Sequence, residues 1–206
     1  GIAHALYRLW GHTDEPAYRD AAADAVAFEN TFYADRERNW KMNFGGVRHY
    51  TDWWCSGRTG VGAARVGSLA AYDDDPAAAT PSSDASAPGD GAATLARDLD
   101  RVAAGIGPRL LDHDSLCHGT AGVIDLLVDL AAHPAVGDDA AARLAAGLLD
   151  RRAETGHLQV THGEIPELRN PVLFLGTSGV AYALARTLAP SLPSALRFAA
   201  PTEVET

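Results

Sequence analysis

Four segments of the chain begin alike. Gly1, Gly60, Gly122 and Gly179 open GIAHALYRL, GVGAARVGSL, GVIDLLVDL and GVAYALARTL, at spacings of 59, 62 and 57 residues. A second glycine precedes the last three by three residues, at Gly57, Gly119 and Gly176. Each segment has helical length and few charges, which predicts an inner, largely buried helix. One such helix cannot bury itself. A period near sixty residues therefore means stacked units that share a continuous core.

Polar-faced helical patterns lie between these segments, at residues 20–33, 92–104 and 138–152. The third carries aspartates at its start and arginines at its end, which suits the helix dipole. We read these as outer helices. The alternation predicts an all-α fold of helical hairpins round an axis, either an open solenoid or a closed α/α toroid. Three stretches read as non-helical. Residues 39–54 form an aromatic loop that delivers Cys55; residues 72–91, rich in Asp, Pro, Ser, Ala and Gly, read as a disordered surface insertion. Residues 159–175 form a further loop, and the tail from Leu192 lacks helical periodicity.

At 206 residues the chain is long enough for one domain, residues 1–206, with a sizeable core. A net charge of −10 argues against nucleic acid or an anionic membrane as partner. No run approaches the roughly 20 apolar residues of a membrane span, so no membrane partner and a cytoplasmic setting are expected. The chain opens at Gly1 directly into an inner-helix pattern, like one entered in mid-element.

There are two cysteines, Cys55 and Cys117, each five residues ahead of the second glycine of its pair. In a ring of hairpins, equivalent positions of neighbouring inner helices converge on one rim, so the two are expected to face each other. His118 stands beside Cys117. Both could aim at one ion only from a turn, because successive side chains diverge by about 100° on a helix. Two thiols and an imidazole favour zinc, and three protein ligands leave the open position of a catalytic site. Other readings are a disulfide, two buried cysteines acting as small hydrophobes, or a structural zinc with a fourth ligand from His49 or His162. His4, His12, His113, His133 and His157 read as helix-face or loop residues, and Trp53 and Trp54 as packing.

WCSGRTG, LCHGTAG and LFLGTSGVAYALARTLAPSLPSAL resemble, in order and spacing, the repeat motifs of the lanthionine synthetase cyclase (LanC-like) family. LPSAL resembles the ending of its bifunctional class II (LanM-type) members. The resemblance implies an α/α toroid of about seven hairpins, of which this chain would be about half, with Zn2+ held by Cys55, Cys117 and His118. It implies addition of a precursor-peptide cysteine to dehydroalanine or dehydrobutyrine, giving thioether rings. The partners would be a dehydrated, cysteine-containing precursor peptide, an upstream remainder of the cyclase and a dehydratase domain. The histidine that relatives carry in the preceding repeat would fall ahead of Gly1, so the catalytic set in this chain is confined to the zinc site. His49 and Arg58 are candidate substrate contacts. The alternative from another class is a non-catalytic LanC-like module that binds zinc and a thiol, peptide or glutathione.

Overall fold

The computed structural model describes residues 1–73, 91–160 and 171–198. Among these the order is α1 (Ile2–Thr13), α2 (Pro16–Asn30), β1 (Tyr33–Ala34), β2 (Asn39–Trp40), β3 (Met42–Phe44), β4 (Val47–His49), α3 (Arg58–Asp73), α4 (Gly91–Gly105), α5 (Thr120–Asp129), α6 (Ala140–Thr155), α7 (Thr177–Leu188) and a short 3-10 turn (Ala195–Arg197). The fold is all-α, as expected. Consecutive helices pair as hairpins, α1 with α2, α3 with α4 and α5 with α6. The odd-numbered helices also pack in sequence, α1 on α3, α3 on α5 and α5 on α7. They form the inner wall of a toroidal arc, with α2, α4 and α6 outside.

Helix α5 is buried on every side from Thr120 to Leu127, because α3, α6 and α7 all pack on it. That explains a segment with apolar residues on every side, its one buried carboxylate, Asp125, being answered by Arg186 of α7. Ile124, Leu126 and Leu127 join Leu144 and Leu148 of α6 and Val180 of α7 in the larger core cluster. A smaller cluster holds Tyr7, Trp10 and Tyr72, with Trp10 and Tyr72 edge to face at 4.9 Å. Buried ion pairs tie the layers together. Arg65 of α3, wholly buried, meets Asp98 of α4 at 2.9 Å and Glu29 of α2 at 2.8 Å. Arg186 of α7 meets Asp125 and Asp129 of α5 at 2.8 and 2.6 Å.

Several boundaries differ from the sequence reading. The first outer helix starts earlier, with Pro16 at its first position, where a missing N–H costs nothing. It ends at Asn30 because Tyr33 pairs with Trp40, whose indole donates to Asn30 Oδ1 at 3.0 Å. The aromatic loop 39–54 holds strand residues as well. A second hairpin pairs β3 with β4, and Gly45 and Gly46 at its tip both have positive φ, 59° and 79°, the two-residue turn that suits strand twist. At the ends of the proposed insertion Tyr72 and Gly91 are helical; residues 74–90 lie outside the described residues, as do 161–170 of the later loop. No helix among the described residues is long and apolar enough to cross a membrane.

Candidate metal centre

One turn is built three times, ahead of α3, α5 and α7. A β-carbon on Gly60 would run into the Trp54 carbonyl oxygen, on Gly122 into that of Leu116, and on Gly179 into that of Leu173. In each case the chain six residues upstream folds back over the first turn of the helix, and only glycine leaves room. The first glycines of the pairs differ. Gly57 has φ 96°, whereas Gly119 and Gly176 are extended, at −139° and −132°. Gly119 is required by contact instead, since a β-carbon there would meet the His113 carbonyl. The backbone bonds repeat too: Arg58 N–H donates to Thr51 O and Thr120 N–H to His113 O, at 3.2 and 2.8 Å.

This scaffold leaves the residue five before the second glycine at the rim. That residue is Cys55 ahead of α3, Cys117 ahead of α5 and Phe174 ahead of α7. Trp54 N–H donates to Cys117 O, and Cys117 N–H to Phe174 O, both at 2.9 Å, so the three turns are stitched edge to edge. The ligand atoms of Cys55, Cys117 and His118 consequently lie within 4.8 Å of one another, the one such group found among the described residues. Cys117 Sγ and His118 Nε2 are 3.6 Å apart, and the His118 ring stands edge-on to Trp53, centroids 4.8 Å apart.

Cys55 is exposed, Cys117 buried, and no disulfide joins them. Burial, and then the neighbouring Cys55 thiol, push the Cys117 thiol up to about 12. A buried thiol so placed stays protonated near neutral pH unless a cation replaces the proton. The donor set fits zinc. Bond lengths of about 2.3 Å to sulfur and 2.0–2.1 Å to nitrogen put tetrahedral donors about 3.5–3.8 Å apart, which the Cys117–His118 pair already satisfies at 3.6 Å.

Two residues that the sequence reading passed over support the turns. Asp52 and Asp114 stand three residues before each cysteine and are both buried. Asp114 pairs with Arg151 of α6 and accepts the Gln159 N–H at 2.7 Å. Asp52 pairs with Arg109 at 2.7 Å and Arg58 at 3.5 Å. The signal was there as a repeated D-x-x-C. Arg58, a candidate substrate contact, is itself buried; beside the Asp52 pair it donates to the Gly105 carbonyl. His49 sits exposed at the end of β4, paired in register with Met42 and outside the three-residue donor group. His162 lies outside the described residues.

Cys55 opens on a cavity of about 580 Å³ between α1 and α3. Ala5, Val61, Ala64, Trp54, Leu196 and Phe198 give it apolar walls, and Arg8, His4 and Glu29 its polar points. His4 is held by Arg197 O at 3.3 Å and Ser68 Oγ at 3.5 Å, and Glu29 by Arg65.

Fold and site together define a class: a toroidal array of helical hairpins whose inner-helix turns gather two thiols and an imidazole at one rim. The chain matches the family described as lanthionine synthetase C-like protein over residues 1–86 and 91–198, and it belongs to that family. No curated protein matches it.

Proposed function

We propose that this chain is the thiol-activating part of a thioether-forming peptide cyclase. The observation that carries the proposal is the Cys55–Cys117–His118 group, built on three stitched turns in a chain of the lanthionine synthetase C-like family. Zinc, when bound there, supplies a Lewis acid that keeps a coordinated thiol deprotonated at neutral pH. The chain's residues do the rest. Cys117 and His118 fix two donors from one buried turn. Cys55 adds the third at the mouth of the cavity, and three protein donors leave one position for a peptide cysteine.

The cavity walls then seat the peptide on either side of that cysteine and exclude water from it. In the reaction so envisaged, a carbon–sulfur bond forms at the β-carbon of dehydroalanine or dehydrobutyrine. The α-carbon takes up a proton in place of the one the thiol lost, so mass is conserved. The match of LPSAL to the class II ending supports placing the chain after a dehydratase and an upstream part of the cyclase, with a dehydrated precursor peptide as partner. Unbridged cysteines fit a reducing, cytoplasmic setting.

The test is incubation of the zinc-loaded chain with a dehydrated, cysteine-containing peptide, followed by thiol alkylation and mass analysis. Ring closure appears as peptide that no longer takes up the alkylating label. Peptide that binds yet stays fully alkylatable even when the upstream part of the cyclase is present would support the other reading, a zinc and thiol binding module.

A further inference from the structure

The segment from Leu192 to Phe198 has little regular structure, yet side chains fasten it along its length. Arg186 Nε of α7 donates to Leu192 O at 2.9 Å, and the Tyr182 hydroxyl to Pro193 O at 2.7 Å. Ser194 donates to Asp125 of α5, and Arg197 pairs with Asp129 at 3.0 Å. Trp54 Nε1 donates to Leu196 O at 3.1 Å. From α1, His4 Nε2 meets Arg197 O at 3.3 Å and Arg8 donates to Phe198 O at 2.8 Å. The anchors come from all four repeats.

Trp54 is where this segment meets the thiols. Its ring stacks on Phe174, centroids 5.1 Å apart and planes 14° apart, and Phe198 closes on both rings at 6.1 Å. The circuit is complete: Trp54 N–H to Cys117 O, Cys117 N–H to Phe174 O, the Phe174 ring against Trp54, and the indole N–H to Leu196 O. Cys55, covalently next to Trp54, is exposed; its thiol lies within 4.8 Å of the Cys117 and His118 donors and 4.0 Å from Ser56 Oγ. With the side chain exposed, the neighbouring backbone contributes to its placement.

We propose that residues 192–198 are a positioning strap that, through Trp54, holds the Cys55 thiol beside Cys117 and His118. The proposal rests on the reading of these three residues as one donor group. Fixing the backbone of a single residue costs about 1–2 kcal/mol, so a turn ordered beforehand by the strap binds its ligand more tightly than a free one. Leu196 and Phe198 also wall the cavity at Cys55, so the strap shapes the donor group and its approach together.

The test uses the metal-free native chain and two probes: phenylarsine oxide, which bridges two neighbouring thiols, and Co2+, read by its thiolate charge-transfer band. Trp54→Phe keeps an aromatic ring for Phe174 and loses the indole N–H together with the pyrrole half of the ring system. It is expected to bind both probes about tenfold more weakly, the effect of one hydrogen bond, with a thermal midpoint within about 4 °C of wild type. Should that variant not fold, Arg8→Ala frees the α1 end of the strap and is expected to weaken both probes about threefold. Unchanged binding of both probes by the folded variant overturns the strap and leaves the metal reading standing. Wild-type chain that takes the arsenical in a Trp54-dependent way, but not Co2+, keeps the strap and overturns the metal reading. Wild-type chain that takes neither shows thiols that are not held together, and overturns the strap.

Discussion

The turns ahead of α3 and α5 share their glycines, their backbone bonds and a buried aspartate, yet they present their cysteines differently. Cys117 is buried among α5 neighbours and brings His118 with it; Cys55 is exposed and faces the cavity. The supporting aspartates differ in the same sense. Asp114 is locked to Arg151, whose side chain is 22% exposed, and Asp52 leans in part on Arg109, 70% exposed. One turn is a fixed wall of the site and the other its accessible lip. A repeat can thus supply equivalent donors in non-equivalent roles, one set by the core and one by the strap.

The largest expected effect removes what the two turns share. Gly122→Ala drives a β-carbon into the Leu116 carbonyl and Gly60→Ala into that of Trp54. Backbone cannot yield as a side chain can, so each is expected to cost about 3 kcal/mol or more in urea unfolding. Next come the aspartates. Asp114→Ala takes the carboxylate from Arg151, which keeps its bond to the Leu111 carbonyl, and leaves the Gln159 N–H without its acceptor; it is expected to cost about 3 kcal/mol. Asp52→Ala should cost less, about 2 kcal/mol, because Arg109 returns to water and the buried Arg58, 3.5 Å from Asp52, keeps its bond to the Gly105 carbonyl; equal losses would erase the distinction between wall and lip.

The cysteines sharpen it further. Cys117→Ala is expected to abolish metal uptake and to cost the metal-free chain about 1–2 kcal/mol through lost packing. Cys55→Ala should lose metal alike while changing metal-free stability by no more than about 0.5 kcal/mol. The smallest effect concerns His4. Burial lowers its pKa, against the hydrogen bond to Arg197 O, so protonation favours the unfolded chain. Stability is lost as pH falls through the ordinary histidine range, and His4→Gln should flatten that part of the melting-temperature profile between pH 7.5 and 5.5.

What the sequence made legible was whatever repeats. The glycine pairs marked the inner-helix starts, and the shared offset of Cys55 and Cys117 brought them and His118 together before any coordinates. Position-specific features were harder to read. Phe174 occupies the cysteine position ahead of α7, but a phenylalanine in an apolar run gives no hint that it will stack on Trp54. The tail from Leu192 carries no periodicity because side chains from four repeats hold it, and such partners are visible only in three dimensions. Arg58 is buried because Asp52 across its own turn and the Gly105 carbonyl far along the chain hold it, and the second of these partners is not visible in the sequence.

The central claim is that the three stitched turns make a metal site. The direct measurement is zinc per chain in the purified protein, by elemental analysis, beside Cys55→Ala prepared in the same way. The account predicts about one zinc per chain, lost in the variant. Full zinc retained by Cys55→Ala, or a folded wild-type chain that takes up no zinc with both thiols free, would contradict it.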